Sequence, residues 1–104
     1  MSPRPLTNSS IGEVLRSERP VLVEFWAPWC GRCSRFAAVL ERFAADHPAL
    51  DVRTVNTDHE DGLVTTYGIT ALPTLLLFDG GKVVATVVNP ESRRALDEAV
   101  SGVL

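Results

Sequence analysis

Only two cysteines stand in this chain of 104 residues, three positions apart, as Cys30-Gly31-Arg32-Cys33. Thiols at that spacing can form and break a disulfide with each other and with a partner. The attacking species in such an exchange is the thiolate, so the acidity of one sulfur and the reach of the other decide what the pair can do. A bridge over two intervening residues closes so short a loop that it constrains the unfolded chain little. Chemistry explains the pair better than reinforcement. A small secreted domain stapled by disulfides uses more cysteines at wider separations. Zinc needs two further ligands, and His47 and His59 are isolated from the motif and from each other; no metal site is expected.

The elements around the cysteines say which sulfur attacks. Val21-Leu22-Val23-Glu24-Phe25-Trp26 is apolar at both alternating positions apart from Glu24, the pattern of a central strand covered on both faces. After Pro28 and Trp29 the period changes. Phe36, Val39, Leu40 and Phe43 recur at helical spacing, so a helix starts near Cys30 or Gly31, runs to about Asp46 and stops at Pro48. Cys30 then lies at a helix N-terminus, where unpaired N–H groups and the positive end of the helix dipole favour an anion. Its pKa is expected to be depressed and its sulfur to attack. Cys33, less than one turn on, shares that face and can resolve the mixed disulfide that Cys30 forms.

The remaining punctuation divides the chain into alternating helical and extended segments. Asn8, Ser9 and Ser10 can cap a first helix, Ser10 and Glu13 having the spacing of a capping box. Ile11, Val14 and Leu15 would be its buried face, with Pro20 ending it. Asp51 to Thr57 reads as a second strand. Asp58 would cap a short helix through Leu63, Val64 and Tyr67, closed by Gly68. Pro73 to Phe78 reads as a strand that Asp79-Gly80-Gly81 turns into Lys82 to Val88. Asn89-Pro90-Glu91 resembles a cap followed by proline at the first helical position, opening a helix buried through Ala95, Leu96, Ala99, Val100 and Val103. Alternating strands and helices imply parallel pairing, and the hairpin adds antiparallel strands. The expected fold class is α/β, a mixed sheet flanked by helices, in one domain spanning residues 1–104.

Composition removes other classes of function. Net charge is −3 with acids and bases interspersed, so nothing suggests nucleic acid or a membrane surface. The longest apolar stretch, around Leu75 to Phe78, is far short of a membrane span. The N-terminal Met1-Ser2-Pro3-Arg4-Pro5 has no secretory-signal pattern. The expectation is a cytoplasmic monomer.

Val21 to Cys33 (VLVEFWAPWCGRC), Asn56 and Asp58 after the second strand, Tyr67-Gly68-Ile69, and Leu72-Pro73-Thr74 leading into LLLFDGG together resemble the thioredoxin family over nearly the whole chain. The resemblance implies a central mixed five-stranded sheet in the order 1-3-2-4-5 flanked by four helices, with Arg4 to Thr7 as a short first strand. It implies thiol–disulfide exchange through Cys30 as nucleophile and Cys33 as resolving thiol, with no cofactor beyond the redox-active Cys30–Cys33 disulfide. Its partners would be protein disulfides and a flavin-dependent, NADPH-linked reductase as electron donor. Pro73 would take a cis peptide bond facing the cysteines, and Leu72 before it would offer backbone groups to an extended partner peptide. Trp29 would be an exposed apolar contact and Gly31 a point of close approach, whereas Trp26 would pack.

Glu24 occupies a position that is typically aspartate in the family, behind the second cysteine. An acid inside a doubly covered strand is costly unless paired or neutral. Two readings stay open: a general base for Cys33 with a raised pKa, or a side chain long enough to reach solvent at the strand end. Other departures are Arg32 for a proline, Thr54 for a lysine near the buried acid, Ala38 for a helix-kinking proline and Asn89 for a loop glycine. Arg53 cannot stand in for that lysine, because adjacent strand residues face opposite sides. A cation beside the Cys30 thiolate should stabilise the reduced form. The expected reduction potential is therefore less negative than the roughly −270 mV of thioredoxin. Reduction of protein disulfides is the leading function. A disulfide oxidant or isomerase tuned by Arg32, and a binding module whose redox activity is secondary, are the alternatives.

Overall fold

The computed structural model describes residues 3–104. Among these residues the order is β1 (Arg4–Pro5), α1 (Ile11–Leu15), β2 (Val21–Trp26), α2 (Gly31–Asp46), β3 (Asp51–Asn56), α3 (Asp61–Tyr67), β4 (Thr74–Asp79), β5 (Lys82–Val88) and α4 (Arg94–Val100). The strands form one sheet in the order β1-β3-β2-β4-β5. Pairs β1·β3 and β2·β3 are parallel, and β2·β4 and β4·β5 antiparallel. The apolar run of β2 is thus the centre of the sheet, paired on both edges and covered on both faces, as its sequence requires.

Strand alternation sorts the core into two layers. Leu22, Val52, Leu75 and Leu77 pack against Phe36, Leu40 and Phe43 of α2 and Leu96 and Val100 of α4. Val21, Val23, Phe25, Val55, Leu76 and Phe78 pack against Val14 of α1 and Leu63 of α3. Glu24 has the parity of Leu22 and so faces α2. Its register partners are Thr54 and Leu75. Arg53 points the other way and is buried, with Nη1 donating to Glu13 Oε1 at 3.1 Å and Nη2 to the Pro5 carbonyl at 3.1 Å.

The helix starts correct the sequence reading in three places. The capping box of α1 does not form: Ser10 Oγ accepts from the Thr7 N–H at 2.9 Å, and Glu13 turns to Arg53. Leu15 is exposed, because a helix of one and a half turns buries only Val14 fully and Ile11 in part. Asp58 does not cap α3, which begins at Asp61. Its cap comes from a distant residue, Asn8, whose Oδ1 accepts from the Leu63 N–H at 3.0 Å while its own N–H donates to Glu60 Oε1 at 2.7 Å. Asn89-Pro90-Glu91 does not open α4 either. Asn89 takes a left-handed conformation (φ 50°), and its N–H is used by the Pro73 carbonyl at 2.9 Å. The chain must complete that turn before it coils at Arg94. Gly68 does close α3 in the left-handed region, at φ 64°. The first strand is shorter than Arg4 to Thr7.

Candidate active site

The segment from Ala27 to Ser34 ties a strand end to a helix start. The Cys30 N–H donates to the Ala27 carbonyl at 3.1 Å, and the Cys30 carbonyl accepts the Ser34 N–H at 3.1 Å. Cys30 is the N-cap of α2 with an extended backbone, and its Sγ accepts the Cys33 N–H at 3.2 Å. An orphan donor of the first helical turn is thus aimed at that sulfur, where serine or aspartate oxygen often sits. In the reduced protein this geometry, with the positive end of the α2 dipole, favours negative charge on Cys30 Sγ. Cys30 and Cys33 are bridged, with Cα atoms 5.3 Å apart. They are 7% and 5% exposed, so a partner must come to them.

Ala27, Trp26 and Leu72 pack against the bridge. The Leu72–Pro73 peptide bond is cis, as the resemblance implied. Thr74 Oγ1 donates to the Ala71 carbonyl at 2.6 Å and fastens the loop that carries it. Trp29 is 72% exposed, yet its indole is held, Nε1 donating to Asp58 Oδ1 at 3.0 Å. Asp58 is in turn positioned by its N–H bond to Asn56 Oδ1 at 3.0 Å. This link was missed in the sequence, where Asp58 signalled a helix cap and Asn56 with Asp58 formed part of the family resemblance. A Cβ at Gly31 would make only ordinary contact, 3.5 Å from the Arg35 guanidinium. Arg32 is exposed and shares a cleft of about 540 Å³ with Arg35, Phe36, Val39, Asn89 and Glu91.

The Glu24 side chain stays almost wholly inside rather than extending out at the strand end. It is 6% exposed, and Oε2 has no hydrogen-bond partner among the described residues. Burial pushes its pKa up to about 7. No lysine stands at position 54; the paired residue is the half-buried Thr54. Glu24 and Cys33 line one cleft of about 300 Å³, along with Trp26, Ser34, Ala37, Glu41 and Thr54. Cys33, Ala37 and Glu41 recur every fourth residue, so helical spacing could have put them on this face. Pro3, at its margin, gave no such signal. Among the described residues no group of three or more His, Cys, Asp or Glu side chains is placed to hold a metal.

The thioredoxin family model matches residues 4–102. The chain belongs to the thioredoxin family. Relatives agree along most of its length. A thioredoxin of Griffithsia pacifica is 48% identical over 78 residues, covering 74% of this chain and 72% of that one. A thioredoxin of Alicyclobacillus acidocaldarius subsp. acidocaldarius is 36% identical over 100 residues and covers 95% of both. One solved chain, from work on the thiol-resolving mechanism of a yeast mitochondrial 1-Cys peroxiredoxin via glutathione/thioredoxin systems, superposes with a TM-score of 0.90. It covers 98% of this chain and 96% of that chain at 19% identity, which shows the fold. Thioredoxins are protein-disulfide oxidoreductases, and this chain is a thiol–disulfide oxidoreductase with a Cys-x-x-Cys redox disulfide.

Proposed function

We propose that the chain reduces protein disulfides, with Cys30 as nucleophile, Cys33 as resolving thiol and Glu24 as the base that takes the Cys33 proton. The observation that carries this reading is the Cys30 sulfur serving as N-cap acceptor to the Cys33 N–H. The Cys30 thiolate attacks one sulfur of a client disulfide. That S–S bond breaks, a bond from Cys30 Sγ to the client forms, and the other client sulfur leaves as a thiolate. The Cys33 thiol gives its proton to the Glu24 carboxylate through the cleft they share. Cys33 then attacks Cys30 Sγ and displaces the second client thiolate. Two electrons pass to the client, and the chain is left with its Cys30–Cys33 bridge. A base with a pKa of about 7 is matched to that proton transfer near neutrality.

Recharging requires two electrons from outside. A flavin-dependent, NADPH-linked reductase of the thioredoxin-reductase type is the donor this reading names, and a reducing compartment such as the cytoplasm is its setting. Docking is assigned to Trp29, Gly31, Leu72 and Pro73. An extended client would pair with the Leu72 backbone by short strand addition and rest on the exposed indole of Trp29. The test is turbidimetric reduction of insulin with dithiothreitol, then with a reductase and NADPH. Catalysis by the wild type and its loss in Cys30→Ser and in Cys33→Ser are expected. A rate no faster than dithiothreitol alone would contradict the reading.

A further inference from the structure

The side chain of Asn89 bridges α2 to the backbone of Leu72. With its amide oriented as the neighbouring donors and acceptors require, Nδ2 donates to the Leu72 carbonyl at 2.6 Å and Oδ1 accepts from Arg32 Nη1 at 3.2 Å. The left-handed backbone of Asn89 and its N–H bond to the Pro73 carbonyl fix the point from which that side chain projects. We propose that Arg32 and Asn89 form a latch over the Leu72 carbonyl, and that Arg32 selects client disulfides flanked by an acidic residue. The proposal rests on the reading that an extended client pairs with the Leu72 backbone.

A pairing strand needs the Leu72 carbonyl as an acceptor for its own N–H. Taking it displaces Asn89 Nδ2 and loosens the amide that holds Arg32. The exposed guanidinium is then free to turn to a new acceptor, and a client carboxylate supplies a charge-assisted, bidentate one that a neutral side chain cannot. The charges of the cleft favour that occupant. Arg32 and Arg35 line it against a single acid, Glu91, and among the described residues neither arginine makes an ion pair with a carboxylate. The two residues therefore have separable effects. Arg32 sets the preference between clients, and Asn89 sets a cost that every client meets.

The experiment measures kcat/KM for two synthetic disulfide peptides that differ only in Glu or Gln beside the reactive cysteine. Wild type is expected to prefer the Glu peptide about three- to fivefold at low salt, the scale of an exposed ion pair, with the preference fading at high salt. Arg32→Gln should bring the ratio to one, and Arg32→Lys should keep part of it. Any change that Arg32→Gln makes in Cys30 acidity cancels in the ratio, because both peptides meet the same sulfur. Asn89→Gly keeps the left-handed backbone without strain; it should raise both rates about two- to threefold and leave the ratio in place. A wild-type ratio of one, a ratio that survives Arg32→Gln, or unchanged or slower rates in Asn89→Gly would overturn the latch. Equal reduction of both peptides by wild type defeats the latch alone, whereas reduction of neither defeats the reductase reading with it.

Discussion

At the scale of single residues, Glu24 couples the stability of the fold to pH. Its pKa is raised from 4.5 to about 7 by burial, so the folded state holds the proton more tightly than the unfolded state. Below pH 4.5 both states are protonated and the residue costs nothing as an acid. Between pH 4.5 and about 7 the unfolded chain ionises first, and stability falls as pH rises. Above about 7 the full penalty stands, up to about 3 kcal/mol. Denaturation of Glu24→Gln should show little change at pH 4, a gain at pH 8, and no slope between them. An unaltered slope in that variant would place the titration elsewhere. The same variant should slow resolution of the mixed disulfide more than its formation. Asp58→Ala removes the acceptor of the Trp29 indole. It should raise KM for protein clients with little change in kcat, and shift stability by no more than about 0.5 kcal/mol. The two sulfurs and the buried acid were legible because cysteine spacing and a charge in an apolar strand are local signals. The Trp29–Asp58 and Arg32–Asn89 contacts join residues far apart in sequence, and neither partner's type signals the other.

Elements show the same division between local and distant causes. Strand β2 and helix α2 follow from their periods, and Gly68 marks the end of α3 because glycine takes φ 64° at no steric cost. Helix starts were less legible. Polar residues that look like caps at positions 8, 10, 58 and 89 were each claimed by another bond once the chain folded, and which bond wins depends on what tertiary packing brings near. Asn8 is the clearest case, since it caps a helix that begins beyond residue 60. Asn8→Ala should therefore destabilise the fold by about 1 kcal/mol, lowering Tm by about 5 °C for a chain of this size. Protection from hydrogen exchange should fall first in α3 rather than in the neighbouring α1. Loss confined to α1 would contradict the cap assignment.

On the scale of the whole molecule, the sheet brings three separate segments to one end: the β2–α2 junction with the cysteines, the cis-proline loop before β4, and the turn after β5 with Asn89. In the proposed function, their meeting lets a client disulfide be presented to Cys30 as part of an extended chain. Arg32 belongs to that end, and its cation should favour the reduced form of the pair. Equilibration with glutathione should give a potential less negative than roughly −270 mV, moving toward that value in Arg32→Pro. A wild-type potential already there, and unmoved by the substitution, would rule out an electrostatic role for Arg32. All of the proposed chemistry requires that α2 make Cys30 acidic. The decisive measurement is the pH dependence of alkylation of the reduced protein by iodoacetamide, with the labelled residue mapped. The midpoint should fall below about 7.5 with the label on Cys30. A midpoint near the free-cysteine value of about 8.5, or equal labelling of Cys30 and Cys33, would contradict it.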